Sequence, residues 1–449
     1  MKKSTILLLL LAVIAGGLTW YFEIKHPHKE ASSSEVLKPV FSFNADDITS
    51  VNVQRQGEDV LVERQGNGWQ ITQPVNSRAD RSVIESLIAS LSSAMVERKF
   101  STQPSGLATY GLAQPAITLH VKLKNGSQHR ISLGAKDFNG TDVYALVDGA
   151  PDIYLFSSSL LTNADKGLQD LRDNAILDYR SPDITSFEIR NAQGDFVLSK
   201  QDDEWHLERP QSFYGDDSQV LALLSQIETN RIGAVTSEKV DDLGKYGLNN
   251  PSITFTAKDK TGKSYQLLIG KKSGGDYYAQ DTSRQMVFLI HGDLYNKLDV
   301  GMQELRDKKL LHVAESELTK VEIRNANQTL VCLNKGGNWI IEQPAAQARK
   351  EAMTWKFLLP LLNARATEIL DRPSAAIAAS LSKPEIEATL TPKSGQALHV
   401  VISQPDGDYV YAHVNAGTSI FKMGKQIYDE LNFSAADVVM AAPSIPAAH

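Results

Sequence analysis

Hydrophobic and polar residues alternate in short stretches near the start of the chain. Residues 51–55 (VNVQR) and 69–73 (WQITQ) alternate between apolar and polar side chains, as half-buried antiparallel strands do. Asp80, a suitable N-cap, then precedes an apolar stripe at helical spacing. The stripe consists of Val83, Ile84, Leu87, Ile88 and Leu91. Together the patterns predict one main helix packed on antiparallel strands, an α+β unit.

The strand that begins with tryptophan recurs twice. Trp69, Trp205 and Trp339 are 136 and 134 residues apart, and each precedes a proline by five residues. Tyr110-Gly111-Leu112 returns as Tyr246-Gly247-Leu248, again 136 residues on. These spacings predict three tandem copies of a domain of roughly 135 residues, near the usual domain size. The structural anchors that we predict are Trp69, Trp205, Trp339, Pro74, Pro210, Pro344, Tyr110 and Tyr246.

The repeat spacing also predicts the domain boundaries. From the N-terminus these are a membrane anchor or signal peptide (1–22), a polar linker (23–39), repeat 1 (40–175), repeat 2 (176–309), a divergent repeat 3 (310–440) and a disordered tail (441–449). The third repeat is expected to be the least regular. It has Lys350 where the other copies have a capping aspartate, and Pro360 inside the helical pattern predicts a kink.

The N-terminal segment resembles a membrane anchor. Nineteen uncharged residues run from Ser4 to Phe22, long enough to cross the hydrocarbon core as a transmembrane helix. Lys2 and Lys3 would keep the short end inside by the positive-inside rule. This predicts a single-pass protein of the bacterial inner membrane with its body in the periplasm. The alternative is a signal peptide cleaved near Ala15-Gly16-Gly17.

A short motif occurs only between copies. Leu171-Arg172-Asp173 precedes the second copy and Leu305-Arg306-Asp307 precedes the third. We interpret Arg172, Asp173, Arg306 and Asp307 as interdomain residues, with each arginine pairing to a neighbouring carboxylate or carbonyl.

Composition and motifs favour a structural protein over an enzyme. The formal charge of −7 and the lack of basic stripes argue against a nucleic-acid partner. The ten histidines show no metal-ligand spacing and the serines no nucleophile elbow, so no metal, cofactor or catalytic residue is predicted. The single cysteine, Cys332, cannot form an intramolecular disulfide and is expected to be a buried apolar residue.

These residues resemble the bacterial Domain of Unknown Function 4340 family. The resemblance is carried by Trp69, Pro74, Ala79-Asp80, Tyr110-Gly111-Leu112, Pro115 and Leu133-Gly134. It implies an exported, membrane-tethered protein associated with an ABC-type transport system whose partners look like gliding-motility transport components. The family implies no catalytic residues.

Three functional hypotheses follow. The first is a periplasmic accessory or scaffold protein, anchored in the inner membrane beside an ABC-type permease or related membrane subunit. The second is a periplasmic binding module for cell-envelope glycan or peptide, which requires exposed aromatic side chains that converge on a cleft. The third is a hydrolase with a site between domains, which requires His and carboxylate groups clustered in one cleft.

Overall fold

Antiparallel strand pairing organises most of the chain in the computed structural model, which describes residues 39–41, 43–101, 103–415 and 419–440. The predicted anchor, nearly all of the predicted linker and the predicted tail lie outside these ranges. No helix within the described ranges is long and apolar enough to cross a membrane. The chain divides into two compact units, Met1–Asn174 and Ala175–His449.

The first unit holds one nine-stranded antiparallel sheet. Its strands are β1 (Ile48–Arg55), β2 (Glu58–Gln65), β3 (Gly68–Gln73), β4 (Ser77–Arg78), β5 (Arg98–Ser101), β6 (Ile117–Leu123), β7 (Gln128–Lys136), β8 (Asp142–Val147) and β9 (Asp152–Ser157). They lie in the order β4-β3-β2-β1-β6-β7-β8-β9-β5. The helices are α1 (Arg81–Ser92), α2 (Ser158–Ala164) and α3 (Leu168–Leu171), with 3-10 turns at Ala45–Asp47 and Pro104–Tyr110.

Helix α1 begins where the sequence places its cap. Asp80 accepts hydrogen bonds from the backbone N–H groups of Ser82 and Val83, two of the donors that the first turn leaves unpaired. The stripe buries Ile84, Leu87, Ile88 and Leu91 in the same core as the inner face of the sheet. Each such side chain contributes roughly 1.5–3 kcal/mol by leaving water.

The second unit begins with a sheet of the same topology. Its strands are β10 (Ile184–Asn191), β11 (Gly194–Gln201), β12 (Glu204–Arg209), β13 (Phe213–Tyr214), β14 (Val235–Ser237), β15 (Ile253–Asp259), β16 (Ser264–Ser273), β17 (Asp276–Asp281) and β18 (Val287–His291). Their order, β13-β12-β11-β10-β15-β16-β17-β18-β14, matches that of the first sheet strand for strand. The helices are α4 (Asp217–Thr229), α5 (Leu243–Tyr246), α6 (Gly292–Leu298) and α7 (Met302–Leu305), with a 3-10 turn at Ser181–Asp183.

The third sheet, also in the second unit, has eight strands in the order β21-β20-β19-β23-β24-β25-β26-β22. They are β19 (Leu318–Arg324), β20 (Thr329–Lys335), β21 (Asn338–Gln343), β22 (Glu368–Leu370), β23 (Ile386–Pro392), β24 (Leu398–Ile402), β25 (Tyr409–Val414) and β26 (Ile420–Gly424). The edge strand that would match β4 and β13 is reduced to one bridge, Ile340–Glu351. The helices are α8 (Leu358–Leu362), α9 (Ala375–Ser380) and α10 (Gln426–Leu431), with 3-10 turns at Glu315–Glu317, Ala345–Gln347 and Thr354–Lys356.

The main helix of the third repeat is broken. A 3-10 turn (Thr354–Lys356) and the five-residue α8 replace the regular helices α1 and α4. Pro360 has no N–H, and its ring would clash with the carbonyl of residue 356 in a continuous helix, which explains the break at Phe357. The cap position is Met353 rather than Lys350, because the turn Ala345–Gln347 inserts residues between the tryptophan strand and the helix.

Three separate hydrophobic cores match the three sheets. They span residues 41–171, 176–305 and 310–438, and each contains one of the repeated tryptophans. Whether each repeat folds by itself within the predicted boundaries stays a prediction.

The predicted fold class, a series of α+β units, is wrong, and the transmembrane helix predicted with it falls on residues outside the described ranges. The described residues form mostly antiparallel strands in three large sheets, with few helices, and contain no membrane-spanning helix. The two strand series of each repeat join into one sheet through the pairs β1–β6, β10–β15 and β19–β23. The sheet therefore lines each core, and one longer helix, α1 or α4, packs on it in the first two repeats.

Candidate functional site

The three repeated tryptophans lie inside the cores. Trp69, Trp205 and Trp339 are 4%, 5% and 2% exposed, so none presents its ring to a ligand. The Arg64 guanidinium lies 4.4 Å from the Trp69 ring centre, and the Trp339 Nε1–H donates to Glu315 Oε1 at 2.9 Å. A glycan-binding cleft built on these rings is therefore not available in this fold.

The repeated prolines end the same strand in each copy. β3, β12 and β21 stop one residue before Pro74, Pro210 and Pro344, since proline has no N–H to donate to the next strand. The three X-Pro peptide bonds are all cis. These prolines have a structural role at the strand ends.

The Tyr-Gly-Leu and Leu-Gly motifs form one contact. Gly111 and Gly247 adopt left-handed backbone at φ +68° and +73°, which glycine tolerates best. A Cβ on Gly111 would lie 2.7 Å from the backbone nitrogen of Ala135. A Cβ on Gly134 or Gly270 would collide with the carbonyl of Tyr110 or Tyr246, respectively. Both glycines of the first two repeats are therefore required for close backbone packing, and Tyr110 and Tyr246 belong to that packing.

The predicted interdomain motif, Leu-Arg-Asp, lies at the end of its repeat and contacts the start of the main helix of the same repeat. In the first repeat the Asp80 N–H donates to the Leu171 carbonyl at 2.8 Å and the Asp173 N–H to the Arg78 carbonyl at 2.9 Å. In the second repeat the Asp216 N–H donates to the Leu305 carbonyl at 2.9 Å. The motif thereby places its arginine and aspartate beside the cap of the main helix.

Arg306 reaches from the second repeat into the third. Its side chain is 0% exposed and donates to Asp371 Oδ1 at 2.8 Å and to the Ile369 carbonyl at 2.8 Å. The guanidinium also lies over the Phe213 ring, 4.9 Å from its centre. Charge-assisted bonds of this kind are among the stronger ones in proteins. Arg172, at the equivalent position in the first unit, is equally buried.

Arg365 of the third repeat links two carboxylates of the second repeat. Its Nη2 lies 2.9 Å from Asp216 Oδ2 and 2.7 Å from Asp307 Oδ1. Asp216 also caps α4 by accepting from the N–H groups of Ser218 and Gln219. One aspartate thus starts a helix and holds the neighbouring repeat.

We call the contacts of Arg306 with Asp371 and of Arg365 with Asp216 and Asp307 the joint between the second and third repeats. A polar cleft of about 540 Å³ lies at this joint. It is lined by Asp216, Ser218, Gln219, Glu304, Lys308 and Arg365. His312 lies at the margin, with its Nε2 3.6 Å from Asp307 Oδ2 and its ring stacked on Tyr214 at 3.7 Å. Among the described residues, no hydrogen bond joins the His312 ring to a serine, threonine or cysteine, and its charged neighbour is Asp307.

The described residues contain no group of three or more His, Cys, Asp or Glu side chains that could hold a metal ion. Cys332 is fully buried and faces Val321 across the strand pair β19–β20, as Val62 faces Val51 in the first repeat. Burial raises the pKa of the Cys332 thiol to about 12, so the thiol stays protonated near neutral pH.

Removing the Arg365 side chain is expected to loosen the joint modestly. Arg365 is 52% exposed whereas its two carboxylate partners are 15% and 13% exposed, so solvent screening limits the loss to about 1 kcal/mol for Arg365→Ala. Asp216→Ala should cost about 1–2 kcal/mol because the helix cap is lost as well. Urea unfolding and hydrogen exchange at residues 306–310 measure both effects.

The control is Arg324→Ala, which removes a similarly exposed arginine paired with Glu387 inside the third sheet. It should leave exchange at residues 306–310 unchanged. Equal exchange rates in Arg365→Ala and wild type would show that the Arg365 contacts do not hold the joint.

The stability of the second unit is expected to fall below about pH 6.5. Burial lowers the pKa of His312, against the opposing effect of Asp307, while Lys309 and Arg365 lower it further and Glu204 raises it. The unfolded chain therefore binds a proton near the ordinary pKa of 6.5, whereas the folded protein binds it only at lower pH. Acidification through this window favours unfolding.

Urea midpoints between pH 5 and 8 test this effect at about half-unit steps. His312→Gln should flatten the slope below pH 6.5. Part of the slope should remain, since burial also lowers the pKa of His413. An unchanged slope in His312→Gln would contradict the prediction.

The sequence reasoning missed two partners at the joint, Arg365 and Asp371. Arg365 had a usable signal, because Arg231 precedes it by 134 residues, the same spacing as Arg172 and Arg306. Asp371 had none, since its role depends on where the third sheet lies against Arg306. Asp216, the capping aspartate of the second copy, is predicted from the sequence only as a helix cap.

The model of a family described as domain of unknown function (DUF4340) matches residues 69–211 and again 205–384. The two matched regions correspond to successive copies of the repeat and together cover most of the chain. No curated protein matches the sequence.

Proposed function

This chain belongs to the DUF4340 family, and we propose that it is an exported accessory scaffold held at the bacterial inner membrane beside an ABC-type transport system. Its repeats would present fixed protein surfaces to a permease or related membrane subunit. The proposal assigns the chain no reaction and no cofactor.

One observation carries the scaffold part of this proposal. Charged side chains pair between the second and third repeats, buried Arg306 with Asp371, and Arg365 with Asp216 and Asp307. A buried arginine with carboxylate and carbonyl acceptors has one favourable arrangement, and leaving either partner unpaired is costly. Such a joint favours a fixed relation between the second and third sheets over a hinged cleft that opens and closes on a ligand.

The location and partner rest on the sequence. The uncharged residues 4–22 after Lys2 and Lys3 support attachment to the inner membrane with the body in the periplasm. The ABC-type partner rests on what the family resemblance implies.

Cysteine labelling in cells tests the location. Asp203 has a fully exposed side chain at a turn, whereas the native Cys332 is buried. In Asp203→Cys, a maleimide that cannot cross the inner membrane should label the protein after the outer membrane is permeabilised, and the parent chain should stay unlabelled. Labelling only after lysis would place the body in the cytoplasm and refute the proposal.

Affinity purification tests the partner. The tagged full-length chain, extracted from native membranes in mild detergent, is expected to bring down a permease and an ATPase subunit. Arg306→Ala, with the joint loosened, should recover less of them at equal bait. Recovery of the chain alone, when labelling has placed it in the periplasm, would refute the transport partner and leave the location intact.

A further inference from the structure

The first repeat carries a methionine where the third carries the arginine of the joint. Isolated bridges pair Pro39 with Met95, Ala175 with Arg231, and Lys309 with Arg365. A backbone hydrogen bond next to the bridge is also shared by the first and third repeats. The Val40 N–H donates to the Ala94 carbonyl, and the Leu310 N–H donates to the Ala364 carbonyl. Met95 therefore occupies the structural position of Arg365. We call the surface around Pro39, Ala94 and Met95 the leading face of the first repeat.

The third repeat carries methionines where the second carries the two aspartates. The Met353 N–H donates to the Val438 carbonyl and the Met440 N–H to the Glu351 carbonyl, both at 2.8 Å. These bonds repeat those made by Asp216 and Asp307 in the second repeat. Met353 therefore replaces Asp216, and Met440 replaces Asp307. We call the surface of Met353, Trp355, Val439 and Met440 the trailing face of the third repeat.

Both faces expose large apolar side chains. Met95 is 42%, Met440 36% and Trp355 53% exposed. Trp355 lies two residues after the cap position, as Ser218 does in the second repeat. Ser218 lines the cleft that Arg365 also lines. Outer faces of repeat arrays are ordinarily polar, because solubility requires it. Exposed apolar surface at a position that binds a neighbour elsewhere in the same chain indicates a binding surface.

We propose that the leading face of one copy binds the trailing face of a second copy, in the manner of the joint between the second and third repeats. The two faces differ from the joint in a matched way. On the leading face methionine stands in place of the arginine, and on the trailing face methionines stand in place of both aspartates. If each face bound an unrelated partner, a loss of charge on one face would not require a loss of charge on the other. Methionine suits such a surface because its flexible thioether adapts to irregular apolar contacts.

The contact is heterologous, since two different surfaces meet. Repeated head-to-tail pairing then gives a ring if the rotation closes and an open chain of copies if it does not. Self-association by this route does not depend on the membrane partner proposed above.

Crosslinking between single-cysteine variants of the full-length chain in detergent is the first test. Met95→Cys and Met440→Cys are made separately, with the buried Cys332 retained, and are mixed with a short bismaleimide. The mixture should form crosslinked dimers, whereas each variant alone should form few, because position 95 meets position 440 and not itself. Phe138→Cys, an exposed site outside both faces, mixed with Met440→Cys is the control and should resemble the single variants.

Charge exchange is the second test, read by sedimentation velocity. Met95→Arg alone, or Met353→Asp with Met440→Asp, should weaken self-association about tenfold or more, because an unpaired charge would be buried against apolar atoms. Mixing the two variant chains should restore the association by recreating the arginine and aspartate arrangement of the internal joint.

Three outcomes would overturn the proposal. Equal crosslinking of Met440→Cys with itself would indicate a symmetric contact. A single species of monomer mass at all concentrations would exclude self-association. Slow labelling of Met440→Cys in dilute, monomeric protein would show that the chain itself, for example residues 441–449, covers the trailing face.

Discussion

Arg306→Ala is expected to destabilise the second unit by about 3 kcal/mol. The wild-type side chain is fully buried, and its loss leaves Asp371 and the Ile369 carbonyl without their donor and the Phe213 ring without its cover. Asp371 keeps a bond from Ser419 and is 31% exposed, so water recovers part of the loss. Urea unfolding of the full-length chain measures the change, and hydrogen exchange at residues 366–371 locates it.

Two companion variants separate charge from packing. Arg306→Met keeps most of the buried volume and should recover about 1 kcal/mol relative to alanine, because long side chains also stabilise by their stems. In an Asp371→Asn background, Arg306→Ala should cost less than in wild type. The surface control Arg190→Ala, at 62% exposure, should cost less than about 1 kcal/mol. Equal losses at Arg306 and Arg190 would contradict the role of Arg306 in the joint.

Trp339→Ala is expected to cost about 3–5 kcal/mol, the range for deleting a large buried aromatic side chain. The ring is 2% exposed in the third core, and Glu315 would lose the indole N–H that it accepts. Calorimetry of the full-length chain should show the transition of the second unit shifted to lower temperature. The first unit has its own core around Trp69, so its transition should change little.

Trp355→Ala is the matched control, because Trp355 lies in the same repeat at 53% exposure. In dilute protein, where the trailing face is free, it should change stability by no more than about 0.5 kcal/mol. If the two tryptophan variants were equally destabilised, Trp339 could not be the core residue that the structure indicates.

Local features of the fold were predictable from single segments. The alternation in residues 51–55 predicted β1, Asp80 caps α1 as predicted, and the prolines end their strands. The fold class was not predictable in the same way. Short edge strands such as β5 and β22 have little pattern of their own, and they pair with β9 and β26, about fifty residues further along the chain. Their strand character comes from that partner, as is common for β-structure.

The start of the main helix in the third repeat could not be predicted from the repeat spacing alone. Repeat spacing alone places the cap at Lys350, but the turn Ala345–Gln347 moves it to Met353. The backbone bond from Met353 to Val438 reveals the true equivalence. That bond joins residues 85 positions apart, so no local pattern contains it.

The amino-acid sequence by itself determined the threefold repeat, the tryptophan strands and the interdomain motif, because each is a pattern of neighbouring residues or of fixed spacing. Only the tertiary structure decided that the strands of each repeat merge into one large sheet, that Arg306 meets Asp371, and that Arg365 joins Asp216 and Asp307. The physical reason is that these contacts depend on the free energy of whole sheets packing together. Charges from distant segments become partners only after that packing has brought them within hydrogen-bonding distance and removed the water between them.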